Sequence, residues 1–257
     1  MRIVIKVGTS SLTHETGRLN IRKMEQFVKV LADVKNAGHE VILVSSGAIA
    51  MGVGKLNLPG RPTDLPGKQA AAAVGQCELM YTYDKMFTEY HHTVAQILLT
   101  AEDVEDPARR ENFENTLNAL LRMSALPVIN ENDTVATSEI TLGDNDTLGA
   151  TVAVSSKADL LVLFSDIDGL YDKDPHRFSE ARLIPEIREI TPEIEALGGG
   201  AGTKRGTGGM ITKLHAAKRV MEAGLDMVIL NSDRPEGLYE VLQGQFTGTR
   251  FIGKKGG

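Results

Sequence analysis

Six short runs of the chain are almost wholly apolar: Arg2-Ile-Val-Ile-Lys-Val7, Val41-Ile-Leu-Val44, Val94 to Leu99, Leu126-Pro-Val-Ile129, Asp159-Leu-Leu-Val-Leu-Phe164 and Met227-Val-Ile-Leu230. A strand with one wet face alternates apolar and polar residues; these do not alternate, so both of their faces must be covered. Helix-like stretches lie between them. Asn20 can cap a helix running to about Ala37, with Ile21, Met24, Phe27, Val28 and Leu31 on one face and Gly38 as its stop. An Ala-rich helix spans Ala70 to Phe87, another runs from about Arg109 to Met123, and Gly143-Asp-Asn-Asp146 caps one reaching about Ser156. A last one follows Met210, with a short helix expected near Leu238 and a final strand in the tail after Phe246. Residues 135–142 read as a polar hairpin, and 171–190 as a loop with a second hairpin. Strands alternating with helices predict an α/β fold, a mostly parallel open sheet sandwiched between helices. With no repeat, low-complexity tract or linker, residues 1–257 read as a single domain.

In such sheets ligands bind beyond the carboxyl ends of the strands. Polar clusters begin near residues 8, 45, 130, 165 and 231, each directly after an apolar run, which places one site along one edge of the sheet. Lys6 stands inside such a run, two residues before Gly8. A lysine there is costly unless an anion meets it, or unless the strand is an edge and the ammonium reaches water. The glycine-rich segment Gly198 to Lys213 has almost nothing apolar to bury and leads into a helix, a combination suited to anions because the first N–H groups of a helix are unpaired. At 100° per residue, Met210, Leu214, Ala217, Val220 and Met221 share an inward stripe that also contains Lys213. Lys213 therefore either meets a nucleotide phosphate or snorkels from a surface loop. Asp133, Asn145 and Asp146 form a polar group able to hold an ammonium ion, or serve as caps and turns, as Asp144 does equally well. Ser165 and Asp166 at a strand end could touch a nucleotide or start a turn.

Composition excludes several classes. A net charge of −6 argues against a general nucleic-acid binder. The single cysteine, Cys77, cannot form an internal disulfide, which fits a reducing cytoplasm; it lies in a helical run, where a buried packing role is expected. The first residues enter a strand without a charged leader, so no signal peptide is expected, and no apolar run approaches the ~20 residues that span a bilayer. Familiar motifs fail one by one. Pro62 and Gln69 break a Walker A loop at Gly60 to Lys68, and Asn57 replaces the third glycine of a dinucleotide fingerprint after Gly52-Val-Gly54. Leu148 and Gly149 spoil an EF-hand loop at Asp144, the histidines lack zinc-hydrolase spacing, and Ser45-Ser46 is no nucleophile elbow.

Lys6-Val-Gly-Thr-Ser10, Ser46-Gly-Ala-Ile-Ala50, Val128-Ile-Asn-Glu-Asn-Asp133, Gly143-Asp-Asn-Asp146 and Gly206-Thr-Gly-Gly-Met-Ile-Thr-Lys213 together resemble the motifs of the amino acid kinase family. Within it the pattern is similar to the branch that phosphorylates glutamate. Uridylate, carbamate and acetylglutamate kinases share the lysine-glycine opening but not the paired acidic-amide motifs. The resemblance implies the three-layer αβα amino acid kinase fold and ATP-dependent phosphorylation of the γ-carboxylate of L-glutamate, giving γ-glutamyl phosphate on the way to proline. It implies glutamate at Ser46, Asp133 and Asn145. It implies ATP at Lys6, Ser165, Asp166, Thr207, Gly208, Gly209, Met210, Ile211, Thr212 and Lys213. Lys6 and Lys213 would stabilise the transferring phosphoryl group, and Asp146 would orient them. Mg²⁺ would rest on nucleotide oxygens and water, with no direct protein ligand. A cytoplasmic homo-oligomer is implied, with γ-glutamyl phosphate reductase as a candidate partner. The resemblance is to a family in which many members carry a C-terminal PUA domain; with Gly257 as the last residue, none is expected here. Ser165 and Thr141 depart from residues common in the family at their positions.

Overall fold

The structure, a computed structural model, describes residues 1–14, 16, 18–135, 144–175, 177–199 and 209–254. Its elements run β1 (Arg2–Val7), α1 (Thr9–Leu12), α2 (Ile21–Asn36), β2 (Glu40–Ser45), α3 (Ala48–Lys55), α4 (Leu65–Thr88) and β3 (Val94–Leu99). They continue α5 (Ala101–Glu105), α6 (Pro107–Arg122), β4 (Leu126–Glu131), α7 (Asn145–Ser155) and β5 (Leu160–Ser165). The last third holds β6 (Glu186–Ile187), α8 (Pro192–Leu197), α9 (Met210–Glu222), β7 (Asp226–Asn231), α10 (Gly237–Leu242) and β8 (Thr249–Phe251).

The strands form one eight-stranded sheet in the order β3-β4-β2-β1-β5-β7-β8-β6. Every neighbouring pair is parallel except β7 with β8. The central strands are buried on both faces, as their apolar sequences require. On one face Ile3, Ile5, Leu43, Val128, Val162 and Phe164 meet α2, α4 and α10, with Phe27 edge-on to Phe164 at 5.4 Å between ring centres. On the other, Val4, Ile42, Val44, Ile129, Leu161 and Leu163 meet α6, α7 and α9. Burial at roughly 25 cal/mol per Å² on two sides of a sheet is the dominant favourable contribution to such a fold.

Helix ends follow local chemistry. The Asn20 side chain accepts from the Lys23 N–H, Asp64 caps α4, and Asp144 accepts from both the Asp146 and Thr147 N–H groups at the head of α7. Some expectations fail. Ile21 is exposed rather than inward: it is the first residue of α2, whose buried face begins at Met24 and continues through Phe27 and Val28. Cys77 is exposed, not packed: α4 buries Ala72, Gln76, Leu79 and Tyr83, and Cys77 points with Ala73 and Tyr81 to the opposite side. Among the described residues between 171 and 190, one antiparallel bridge, Tyr171 to Leu183, stands where a hairpin is expected, and β6 runs parallel to β8. Residues 136–142 of the other expected hairpin lie outside the described residues. The short helices α3, α5 and α8 carry too few turns to declare a period.

Candidate active site

The strand order sorts the polar clusters in space. Asn130 and Glu131 end β4, Ser45 ends β2 with Ser46 next, Gly8 follows β1, and Ser165 and Asn231 end β5 and β7. The carboxyl edge is thus read β4, β2, β1, β5, β7, with Lys6 on the middle strand. Lys6 pairs in register with Val44 and Leu163, so β1 is no edge, and the water-facing alternative for this lysine is excluded.

Lys6 and Lys213 meet at one carboxylate. Lys6 Nζ lies 2.6 Å from Asp146 Oδ1, and Lys213 Nζ donates to Asp146 Oδ2 at 3.1 Å. The Lys6 contact is close but poorly aligned for a hydrogen bond, so its ammonium acts chiefly as a point charge. The side chains are 10%, 8% and 0% exposed for Lys6, Lys213 and Asp146, which rules out snorkelling. Each arrives by a different route. Lys6 comes from the central strand, Asp146 from the first turn of α7 just past its Asp144 cap, and Lys213 from the inward stripe of α9 beside Leu214, Ala217 and Val220. At Gly149 α7 runs beside β1, where a Cβ would come within van der Waals reach of the Lys6 Cβ at 3.4 Å. Thr212 adds its hydroxyl, 2.9 Å from Asp146 Oδ2 and 2.8 Å from the Gly209 carbonyl.

Burial alone would push the Asp146 carboxyl up, but the charges of Lys6 and Lys213, with the Lys213 hydrogen bond, prevail and hold it at about 2. Asp146 is therefore ionised at any physiological pH and is engaged by the protein's own ammonium groups. This corrects the expectation that it joins Asp133 and Asn145 in holding an external ammonium. Two cations on one anion leave the trio with a net positive charge, which suits an incoming phosphate.

On the β2 and β4 side, Asn145 donates through Nδ2 toward Ser46 Oγ at 2.6 Å, the Ser45 carbonyl at 3.2 Å and Asn130 Oδ1 at 3.2 Å. Asp133 lies just past β4, half-buried, where burial and then the neighbouring Glu131 charge push its carboxyl up to about 6 against the pull of Arg61. For Asp144, burial and the Asp146 charge push the carboxyl up, opposed by the N–H groups it caps and by Lys6.

On the β5 and β7 side, the buried Ser165 hydroxyl donates to Asp166 Oδ1 at 3.2 Å. Asp168 then accepts from Asn231 Nδ2 and from the Tyr171 hydroxyl, each at 2.9 Å, joining the two strand ends. Gly209 is the N-cap residue of α9, Met210 is half-buried and Ile211 is 37% exposed. Thr207 and Gly208 lie outside the described residues. Beyond the expected residues, the structure brings in Asn130, Gln76 and Tyr83. Asn130 was visible only as part of a motif, and a glutamine and a tyrosine in an Ala-rich helix gave no sign of facing inward.

A model of the amino acid kinase family matches residues 1–231. The chain is 56% identical over 255 residues to a glutamate 5-kinase of Carboxydothermus hydrogenoformans, covering 99% of this chain and 68% of that protein. It is 49% identical over 259 residues to a glutamate 5-kinase of Clostridium perfringens, covering 99% and 96% of the two chains. In structure it resembles a carbamate kinase from Giardia lamblia bound to AMP-PNP, with a TM-score of 0.70, 17% identity and 98% of each chain covered. That likeness extends to the fold.

Proposed function

The chain belongs to the amino acid kinase family, and from that premise we propose that it transfers the γ-phosphoryl group of ATP to the γ-carboxylate of L-glutamate. The product is γ-glutamyl phosphate, which opens the route to proline. The observation that carries the reading is the Lys6–Asp146–Lys213 trio on and beside the central strand, with the Ser46 and Asn145 cluster to one side and Ser165 to the other. Glutamate occupies the β2 and β4 side, touching Ser46, Asp133 and Asn145. ATP occupies the β5 and β7 side, reaching Ser165, Asp166 and the segment from Thr207 through Gly208, Gly209, Met210, Ile211 and Thr212 to Lys213.

A γ-carboxylate oxygen attacks the γ-phosphorus, the bond from that phosphorus to the bridging oxygen breaks, and ADP departs with the electron pair. The nucleophile is already ionised at neutral pH, so no general base is required. What the reaction needs is in-line placement and positive charge where the phosphoryl oxygens spread theirs. Lys6 and Lys213 supply that charge from two directions, and Asp146 fixes their ammonium groups before substrate arrives. Mg²⁺, bound with the nucleotide, would supply further positive charge to its phosphates. The ion would rest on phosphate oxygens and water, as Mg²⁺ commonly does on a nucleotide, while Asp146 is engaged by Lys6 and Lys213. The same reading makes the chain a single kinase domain, acting as a cytoplasmic homo-oligomer that hands its acyl phosphate to a reductase.

The test is trapping of the acyl phosphate with hydroxylamine in the presence of MgATP and one acceptor at a time. Hydroxamate formed with glutamate, but not with aspartate, acetylglutamate or carbamate, is the expected result. Acceptor-independent nucleotide binding without turnover would overturn it.

Asp133 gives the reaction a pH signature. Its carboxyl must be ionised to attract the ammonium of glutamate, and in the free protein it ionises at about 6. The KM for glutamate is therefore expected to be flat above about pH 7 and to rise about tenfold for each unit below 6. Asp133→Asn should raise KM and abolish that slope. The sign for stability is opposite: a raised carboxyl pKa means that ionising Asp133 destabilises the fold as pH rises from 3.8 through about 6.

A further inference from the structure

Helix α4 reaches under the glutamate side of the site with two polar side chains seven residues apart, hence on one face of the helix. The first is Gln76, 8% exposed. Its Oε1 accepts from Asn130 Nδ2 at 2.9 Å, and its Nε2 faces Gln96 Oε1 at 3.4 Å. The second is Tyr83, fully buried, whose hydroxyl lies 2.8 Å from Ser45 Oγ. Ser45 Oγ donates to the Ser46 carbonyl at 3.1 Å, so the tyrosine is the donor in that pair.

Both struts end on Asn145. Asn130, 2% exposed, turns its amide hydrogens to Gln76, which leaves Oδ1 to accept from the Glu131 N–H at 2.9 Å and from Asn145 Nδ2. The Ser45 carbonyl is the other fixed acceptor of Asn145 Nδ2. An amide has nearly the same shape with its oxygen and nitrogen exchanged, so its partners alone decide which end faces where. Here acceptors hold the nitrogen of Asn145 inward, and its carbonyl oxygen is the end left for a ligand's ammonium. Gln76 itself is anchored: a Cβ on the adjacent Gly75 would fall 1.7 Å from the Ala48 carbonyl of α3, so the two helices are in backbone contact at that level.

We infer that Gln76 is a positioning residue for the acceptor substrate, orienting Asn145 through Asn130 without touching glutamate. The inference rests on the reading of Ser46, Asp133 and Asn145 as the glutamate site. In Gln76→Leu the volume remains, but the Asn130 amide nitrogen loses its buried acceptor, so Asn130 is held only through Oδ1 and its grip on Asn145 Nδ2 loosens. KM for glutamate should rise about tenfold or more, with KM for ATP within about twofold and kcat changed less than KM. Gln76→Glu keeps an acceptor toward Asn130, and the exposed Gln96 amide can rotate to donate to it. At pH 8 it should recover most of the glutamate affinity, and it should lose that recovery as pH falls and the buried carboxyl takes a proton.

Kinetics by hydroxylamine trapping, with thermal unfolding of wild type and both variants, decide the matter. Equal changes in the two KM values, an unaltered KM for glutamate in Gln76→Leu, or a folded Gln76→Glu no better than Gln76→Leu would each overturn the positioning role. Wild-type protein in the same assay separates the two levels. If it turns over glutamate while Gln76→Leu behaves like it, the relay alone falls; if it ignores glutamate, the substrate reading falls and takes the relay with it.

Discussion

Lys213→Ala should lower kcat by roughly 10²–10³, the scale of removing one preorganised electrostatic contact from a transition state. The KM for glutamate should move little, because Asn145 is held by Ser45, Ser46 and Asn130, whereas Lys213 bonds Asp146. Losing kcat and kcat/KM together is the signature of a contact made only as the phosphoryl group moves. Sequence reasoning on its own would expect folding to be indifferent to this change. The structure revises that: Lys213 is one of two cations on a fully buried carboxylate, so its loss also weakens the junction of α7 and α9. The loss is partial, since Lys6 and Thr212 remain on Asp146. Steady-state rates and a melting curve on the same preparation separate the two effects, and a variant with normal kcat would remove Lys213 from the reaction.

Asp146→Ala is expected to do greater structural damage. It strands two buried ammonium groups that have no other carboxylate bonded to them among the described residues. Breaking a buried ion pair in this way typically costs about 3–5 kcal/mol, which for a chain of this size lowers the melting temperature by about 10 °C or more. Turnover should fall at least as far as in Lys213→Ala, because both lysines lose their fixed place. Added MgATP should recover part of the lost thermal stability, since phosphates supply the missing negative charge. Loss of activity with an unchanged melting curve would mean that Asp146 does not carry the structural share assigned to it.

The strands were the most readable part of the chain. A strand covered on both faces has no freedom to alternate, so Ile42, Leu43, Leu161 and Val162 declare themselves, and the polar residues that follow mark the functional edge. Lys213 was readable for the same reason in helical form: it falls inside the stripe set by Leu214, Ala217, Val220 and Met221. Its partner was less so. Nothing local distinguishes an aspartate that gathers lysines from one that caps a turn, and only the approach of α7 to β1 and α9 decides between them. In α4, alanines on every side blur the inward face, so Cys77 was expected inside and Gln76 and Tyr83 went unread. Polar side chains that pair across the fold, over 54 residues in the case of Gln76 and Asn130, leave no periodic trace. Ile21 shows the complementary limit: a helix face can be correct while its first residue stays exposed.

The claim on which the rest depends is that Lys6 and Lys213, brought together by Asp146, act on a single phosphoryl group between the two halves of the strand edge. A structure of the protein with MgADP, glutamate and a planar aluminium fluoride in the position of the moving phosphoryl group tests it most directly. Both Nζ atoms are expected within about 3 Å of the fluoride ligands, with the γ-carboxylate on the opposite side of the plane from ADP. A complex in which either lysine stays on Asp146 alone, turned away from that plane, would contradict the claim.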